Sequence, residues 1–279
     1  MNNLVKHSTL VVLLALLAPL PAAHCVELTF DPMVTMNFDN MTEGEAIDTL
    51  TPPWIGAGAS SIVAAVPAGA GNSSAMAVNA PGTTRMGALS PEQILPSAFT
   101  STAAGDTLYF SAWLLKNGGG GSVVFNSNSL ASGYTFTLGG FGVAEGAIGY
   151  FTYLTDANGD GVPELANSAT VALRNTWYEI ALVIRLDATN YANSLGYLYY
   201  RAVGDAEFSV LPEFNGVQMS WWTSSFNATD FAYYRFDSVR NNFQIDNLSV
   251  GKVVPGPSVG MLSGAAGIAL EPLCNARKN

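Results

Sequence analysis

From residue 106 to residue 251, hydrophobic and polar positions alternate mostly with a period of two rather than 3.6. The pattern is carried by "DTLYFSAWLL" (106–115), "GYTFTLGGFGV" (133–143), "AIGYFTYLT" (147–155), "WYEIALVIRLD" (177–187), "GYLYYRAV" (196–203), "FAYYRFDSV" (231–239) and "FQIDNLSVG" (243–251). These runs are rich in β-branched and aromatic residues, and clusters of Gly, Asn, Asp and Ser separate them, which predicts strands joined by turns. Outside the two ends no window carries an i, i+3, i+4, i+7 stripe. A short helical turn is expected only at "SPEQILP" (90–96), with Ser90 as its cap. "NGGGGS" (117–122) reads as a flexible loop within one sheet. Many strands without intervening helices predict an all-β fold, an antiparallel β-sandwich.

The ends follow another grammar. Lys6, the apolar run "LVVLLALLAPL" (10–20) and the small residues of "AHC" (23–25) make residues 1–25 a signal peptide cut before Val26. That leaves 26–252 as the β-sandwich domain and 253–279 as a tail. In the tail "VVPGPS" (253–258) precedes the apolar "VGMLSGAAGIAL" (259–270) and a basic end at Arg277 and Lys278. This resembles a degenerate PEP-CTERM sorting signal of Gram-negative exported proteins. The resemblance implies a membrane sorting protease as partner and a cell-surface or extracellular destination. A twelve-residue apolar helix would span about 18 Å, short of the roughly 30 Å hydrocarbon core, so membrane contact is expected to be transient.

Removing the leader strips the chain of two chemistries. The histidines are His7 and His24 and the cysteines Cys25 and Cys274, so the body from Val26 to Lys252 holds neither residue type. That excludes a disulfide framework, a cysteine nucleophile, a histidine base and a His/Cys zinc site. With a formal net charge of −10 and no Lys/Arg cluster, nucleic acid is excluded as a partner too.

The order of elements resembles a concanavalin A-like (LamG/jelly-roll) domain. "MNFDNMTEGEAIDTLTPPWIG" (36–56) opens a long β body, "NTWYEIALVIRLDATN" leads into "GYLYYRAVGDAEF", and "FQIDNLSVG" closes it. The resemblance implies that first and last strands pair, and that a structural calcium ion sits where they meet, near Asp39 and Asp246. A second calcium candidate rests on residues alone. In "DANGDGVPE" (156–164), Asp156, Asn158 and Asp160 stand at loop positions 1, 3 and 5, Gly161 permits the turn, and Val162 and Glu164 offer further oxygens. Position 12 is Asn167 rather than Glu, so the loop is not an EF-hand, and a tight turn between two strands remains the alternative.

Aromatic residues are the other candidate feature. "MSWWTSSFNATDF" (219–231) surrounds a doublet with polar residues, which makes Trp221 or Trp222 the candidate ligand contact, since sugars stack their C–H faces on exposed rings, with filling of the sandwich core as the alternative for both. Trp177 reads as core. For catalysis the remaining route is a carboxylate pair, and no Glu-x-Asp-x-x-Glu spacing occurs; Glu179 is isolated on its strand and expected to be solvated. The sequence thus predicts an exported, non-enzymatic carbohydrate-binding or adhesion module that binds extracellular polysaccharide or matrix. A purely structural matrix protein and a carboxylate glycoside hydrolase are the alternatives.

Overall fold

The computed structural model describes residues 25–36, 38, 41–45, 61–64, 74–78, 107–116, 120–129, 134–144, 149–187, 189–222, 231–237 and 243–254. Residues 1–24, Asp39, the turn expected at 90–96 and the residues beyond Val254 lie outside them. Strands are numbered in chain order. The larger, nine-stranded sheet runs from β1 (Cys25–Val26) through β12 (Phe208–Gln218), β11 (Leu195–Ala202), β10 (Trp177–Arg185), β5 (Thr107–Lys116), β14 (Phe243–Val254) and β4 (Ser74–Val78) to β3 (Ser61–Ala64). Strand β2 (Thr29–Met36) also pairs with β14. The smaller sheet has the order β13 (Phe231–Asp237), β6 (Gly121–Ser129), β7 (Tyr134–Val143), β8 (Gly149–Thr155), β9 (Glu164–Ala172). All pairings are antiparallel, and the fold is an antiparallel β-sandwich of jelly-roll type. Among the described residues the one helical element is a single 3-10 turn, Tyr191–Asn193.

Each strand expected from period-two alternation occurs. The first and last long strands pair, β2 against β14 from Leu248↔Met36 to Val254↔Thr29, with β2 lying almost wholly upstream of the 36–56 stretch that the resemblance took as the opening. Strand β6 starts at Gly121, inside the glycine-rich stretch expected to be a loop, and β14 continues to Val254, two residues into the segment assigned to the tail. β12 was not anticipated, because Pro212 and Gly216 interrupt its pattern. The structure tolerates both, with register shifts along its pairing with β11.

Alternate residues of the central strands meet between the sheets. Leu108, Phe110, Ala112 and Leu114 of β5 and Tyr178, Ile180, Leu182 and Ile184 of β10 pack against Phe141, Phe151 and Tyr153 of the smaller sheet. Each large apolar side chain buried there contributes about 1.5–3 kcal/mol relative to exposure. The sheets approach so closely that a Cβ on Gly139 would lie 2.7 Å from Leu182 Cδ2. β10 departs from alternation: everything from Trp177 to Ile184 is buried, so its other face is covered too.

That other face, on the side of the larger sheet away from the smaller one, is strongly concave. β1 lies on the free edge of β12 while β2 lies beyond β14, six strand spacings away in the hydrogen-bonded order. Laid flat, those spacings would separate the two strands by about 29 Å. Only Glu27 and Leu28 connect Val26 to Thr29, and three Cα–Cα steps reach about 11 Å at most. The sheet therefore curls until its opposite edges nearly meet.

Candidate functional site

The concave face collects what the alternation points away from the core. Across it, Asp246 of β14 pairs with Trp113 of β5, Trp113 with Glu179 of β10, and Glu179 with Arg201 of β11. The next outward positions are Ser249, Ser111, Ala181 and Tyr199, followed by Gly251, Tyr109, Val183 and Tyr197. The strands thus set two acids, one guanidinium and three phenols in adjoining rows.

Glu179 and Arg201 form the centre. Arg201 Nε donates to Glu179 Oε2 at 2.7 Å and its terminal nitrogen lies 2.6 Å from the same oxygen. The guanidinium stands 4.5 Å from the Phe208 ring centroid and 5.9 Å from that of Trp113, within cation–π range of both. Glu179 is nearly buried, whereas the Arg201 side chain keeps 29% of its surface open. Burial raises the Glu179 carboxyl above the usual range, and Arg201 pulls it back by charge and hydrogen bonding. The expectation of a solvated Glu179 is therefore corrected.

The phenols flank this pair. Tyr109 is almost wholly buried and shares a 2.9 Å hydrogen bond with Ser249; burial raises its pKa and that bond opposes the shift. Tyr199 is half-buried, and its pKa is raised first by burial and then by the neighbouring Tyr197. Both phenols are protonated at neutral pH and can donate a hydrogen. "GYLYYR" put Tyr197, Tyr199 and Arg201 at i, i+2 and i+4, hence on one face of a strand. That alternation is legible in the sequence, although the catalytic expectation considered only histidine, cysteine and paired acids.

The residues singled out by sequence fall elsewhere. Trp221 and Trp222 are each 1% exposed and belong to the core, so their rings offer no face to a sugar in this structure. Trp177 is buried as expected. Asp39 is outside the described residues. Asp246 is fully buried, its Oδ1 accepting from the Asn247 amide at 2.8 Å, so it cannot meet a substrate together with Glu179 as a cleft carboxylate pair.

"DANGDGVPE" forms the hairpin turn between β8 and β9, with Gly159 and Gly161 in the left-handed region (φ 74° and 83°). Most of its side-chain oxygens already accept hydrogen bonds, while Asp156 Oδ1 is buried without a partner. Asp160 Oδ1 accepts from the Val162 amide, Asn158 Oδ1 from the Asp160 amide, and Asp156 Oδ2 from the Gly161 amide and Ser220 Oγ. The Asn158 amide nitrogen donates to both Asp160 Oδ2 and Glu164 Oε1, standing between two carboxylates. Among the described residues no group of three or more His, Cys, Asp or Glu side chains is arranged as a metal ligand set.

Comparison with known proteins bears on the fold. No protein-family profile matches the chain, and no curated protein matches it by sequence. Among solved structures, it is similar to an endo-β-1,4-glucuronan lyase from the fungus Trichoderma reesei (TM-score 0.45, 9% identity, 79% of this chain and 95% of that one). It is likewise similar to an alginate lyase from Aplysia kurodai (TM-score 0.42, 12% identity, 77% and 98%) and a galectin from Caenorhabditis elegans (TM-score 0.28, 8% identity, 62% and 93%). At such identities the likeness is one of fold. Two of these three sandwiches are polysaccharide lyases, and the expectation of a non-catalytic binding or adhesion module that is no enzyme is withdrawn. The physical reason is also visible in this chain. The expectation assumed that without histidine, cysteine or paired acids a sheet has no catalytic groups, whereas tyrosine and arginine on a concave face remain.

Proposed function

We propose that the protein is an exported, polysaccharide-processing enzyme that cleaves uronate-containing chains by elimination on the concave face of the larger sheet. The observation that carries this reading is the partly open Arg201, held against Glu179 between two aromatic rings, with Tyr199 and Tyr197 on the same face of its strand. Elimination needs three things: a cation to neutralise the uronate carboxylate, a base for the adjacent C–H proton, and an acid for the departing glycosidic oxygen. Arg201 supplies the first. Glu179, made more basic by burial, takes the proton. The C–H electron pair becomes the new C=C bond as the C–O bond breaks, and the Tyr199 phenol gives its hydrogen to the leaving oxygen.

The test uses the mature chain from Val26 with uronate polysaccharides and neutral glucans, following both reducing ends and the ultraviolet absorbance of unsaturated uronate ends. Uronate chains are expected to give both signals together. General acid–base groups contribute about 10²–10⁴-fold, so Tyr199→Phe and Glu179→Gln are expected to lose at least about 100-fold in kcat. Reducing ends without the absorbance would replace elimination by hydrolysis, and no product from any polysaccharide would remove the enzymatic reading.

A further inference from the structure

The chain bridges its own concave face. From Val26, paired with Phe208 on one edge, the backbone crosses through Glu27 and Leu28 to Thr29, paired with Val254 beyond the other edge. The space beneath this arch is filled. Phe30 stacks on Tyr109 with ring centroids 4.2 Å apart and planes at 24°, and it meets the Phe208 edge at 5.6 Å. Phe208 is the ring that also carries the Arg201 guanidinium. Past the Trp113 row the face is closed as well, since Leu115 and Trp177 are fully buried there as a small second core. What stays partly open is the strip along β11, at Tyr197, Tyr199 and Arg201.

We infer that the Val26–Phe30 arch, plugged by Phe30, makes this site a dead end that admits the end of a polysaccharide chain and excludes its interior. An interior stretch must extend in both directions from the bond being cleaved. The Phe30 ring, stacked on Tyr109 and set against Phe208 beneath the Val26–Thr29 crossing, blocks one of those directions. The enzyme is therefore exolytic: it releases short products from one end and leaves the remaining polymer long. Phe30 determines this specificity without touching the reacting atoms.

This inference rests on the proposed elimination activity, and the experiment separates the two. The mature chain from Val26 and its Phe30→Ala variant are given the uronate polysaccharide that the protein cleaves, and viscosity is followed against ends formed. In parallel, tyrosines are nitrated and mapped, with the core residue Tyr178 as a control for folding. The wild-type protein is expected to release short products from the outset while viscosity falls slowly. Phe30→Ala is expected to drop viscosity several-fold faster per end formed and to expose Tyr109, but not Tyr178, to nitration. Rapid loss of viscosity with the wild-type protein would overturn the dead end and leave elimination intact, a result that needs no variant to fold. Exposure of Tyr109 in Phe30→Ala with unchanged product sizes would overturn the role of Phe30. Absence of product from every polysaccharide would overturn the activity, and the inference with it.

Discussion

The turn at Asp156–Glu164 and the strand pair β10–β11 both gather charged side chains, and they use them in opposite ways. In the turn, Asp156, Asp160 and Glu164 accept hydrogen bonds from backbone amides, a serine hydroxyl and the Asn158 side chain, and the loop is exposed from Ala157 to Val162. In the strand pair a single acid and a single guanidinium are taken from water together, between aromatic rings. Exposed charges interact weakly because water screens them, whereas a buried pair is strongly coupled and costly to break. The regular spacing of oxygens drew attention to the turn. The environment able to change proton affinities is in the strands, where a raised carboxyl and raised phenols adjoin.

The sharpest way to break this contrast is Arg201→Leu. It leaves Glu179 buried and unpaired, which is expected to cost about 3–5 kcal/mol. With the guanidinium gone, burial alone acts on the carboxyl, so the folded state holds its proton more tightly than the unfolded state does. Stability of the variant therefore recovers as pH falls through the raised pKa and is lost as pH rises through it. Thermal unfolding across pH would reveal this, and a pH-independent loss would contradict it. Glu179→Leu combined with Arg201→Leu is expected to regain most of the stability, since apolar replacement of a buried pair is often neutral.

Trp221→Ala tests the same distinction from the core. Its ring is buried, so a loss of about 3–5 kcal/mol in denaturant unfolding is expected. A stable variant with weakened polysaccharide binding would instead return Trp221 to the role its sequence context suggested. Tyr199→Phe should separate the properties in the other direction. Its stability is expected to change by less than about 1 kcal/mol, the net worth of a typical hydrogen bond, even as turnover falls.

The smallest effects belong to the turn. Gly161→Ala forces a side chain into the left-handed region although nothing crowds the site, and about 1 kcal/mol is expected in chemical unfolding. Asn158→Asp places a carboxylate between the Asp160 and Glu164 oxygens that the amide now serves. In a chelator its melting temperature is expected to fall by a few degrees, corresponding to about 1 kcal/mol. An unchanged melting temperature would show that the amide bridge contributes nothing.

Much of the fold was legible because a strand half-buried on one face writes its burial directly into alternate residues. "DTLYFSAWLL" and "WYEIALVIRLD" became β5 and β10 nearly residue for residue. β12 was not legible, because Pro212 and Gly216 break its pattern while pairing with β11 still holds it in the sheet. The candidate site was legible only in part. Alternation put Tyr197, Tyr199 and Arg201 on one face, but no local rule says which of two faces meets the core or what lies across from it.

The amino-acid sequence by itself determined the strand class, the positions of most central strands, and a body free of histidine and cysteine. These are local properties, set by side-chain period and by composition. Only the tertiary structure decided that Glu179 meets Arg201 across a strand boundary, that Trp221 and Trp222 turn inward, and that Phe30 reaches Tyr109 and Phe208. Each depends on register and curvature, which arise when strands far apart in the chain pair and the sheet curls, and no window of neighbouring residues contains that information.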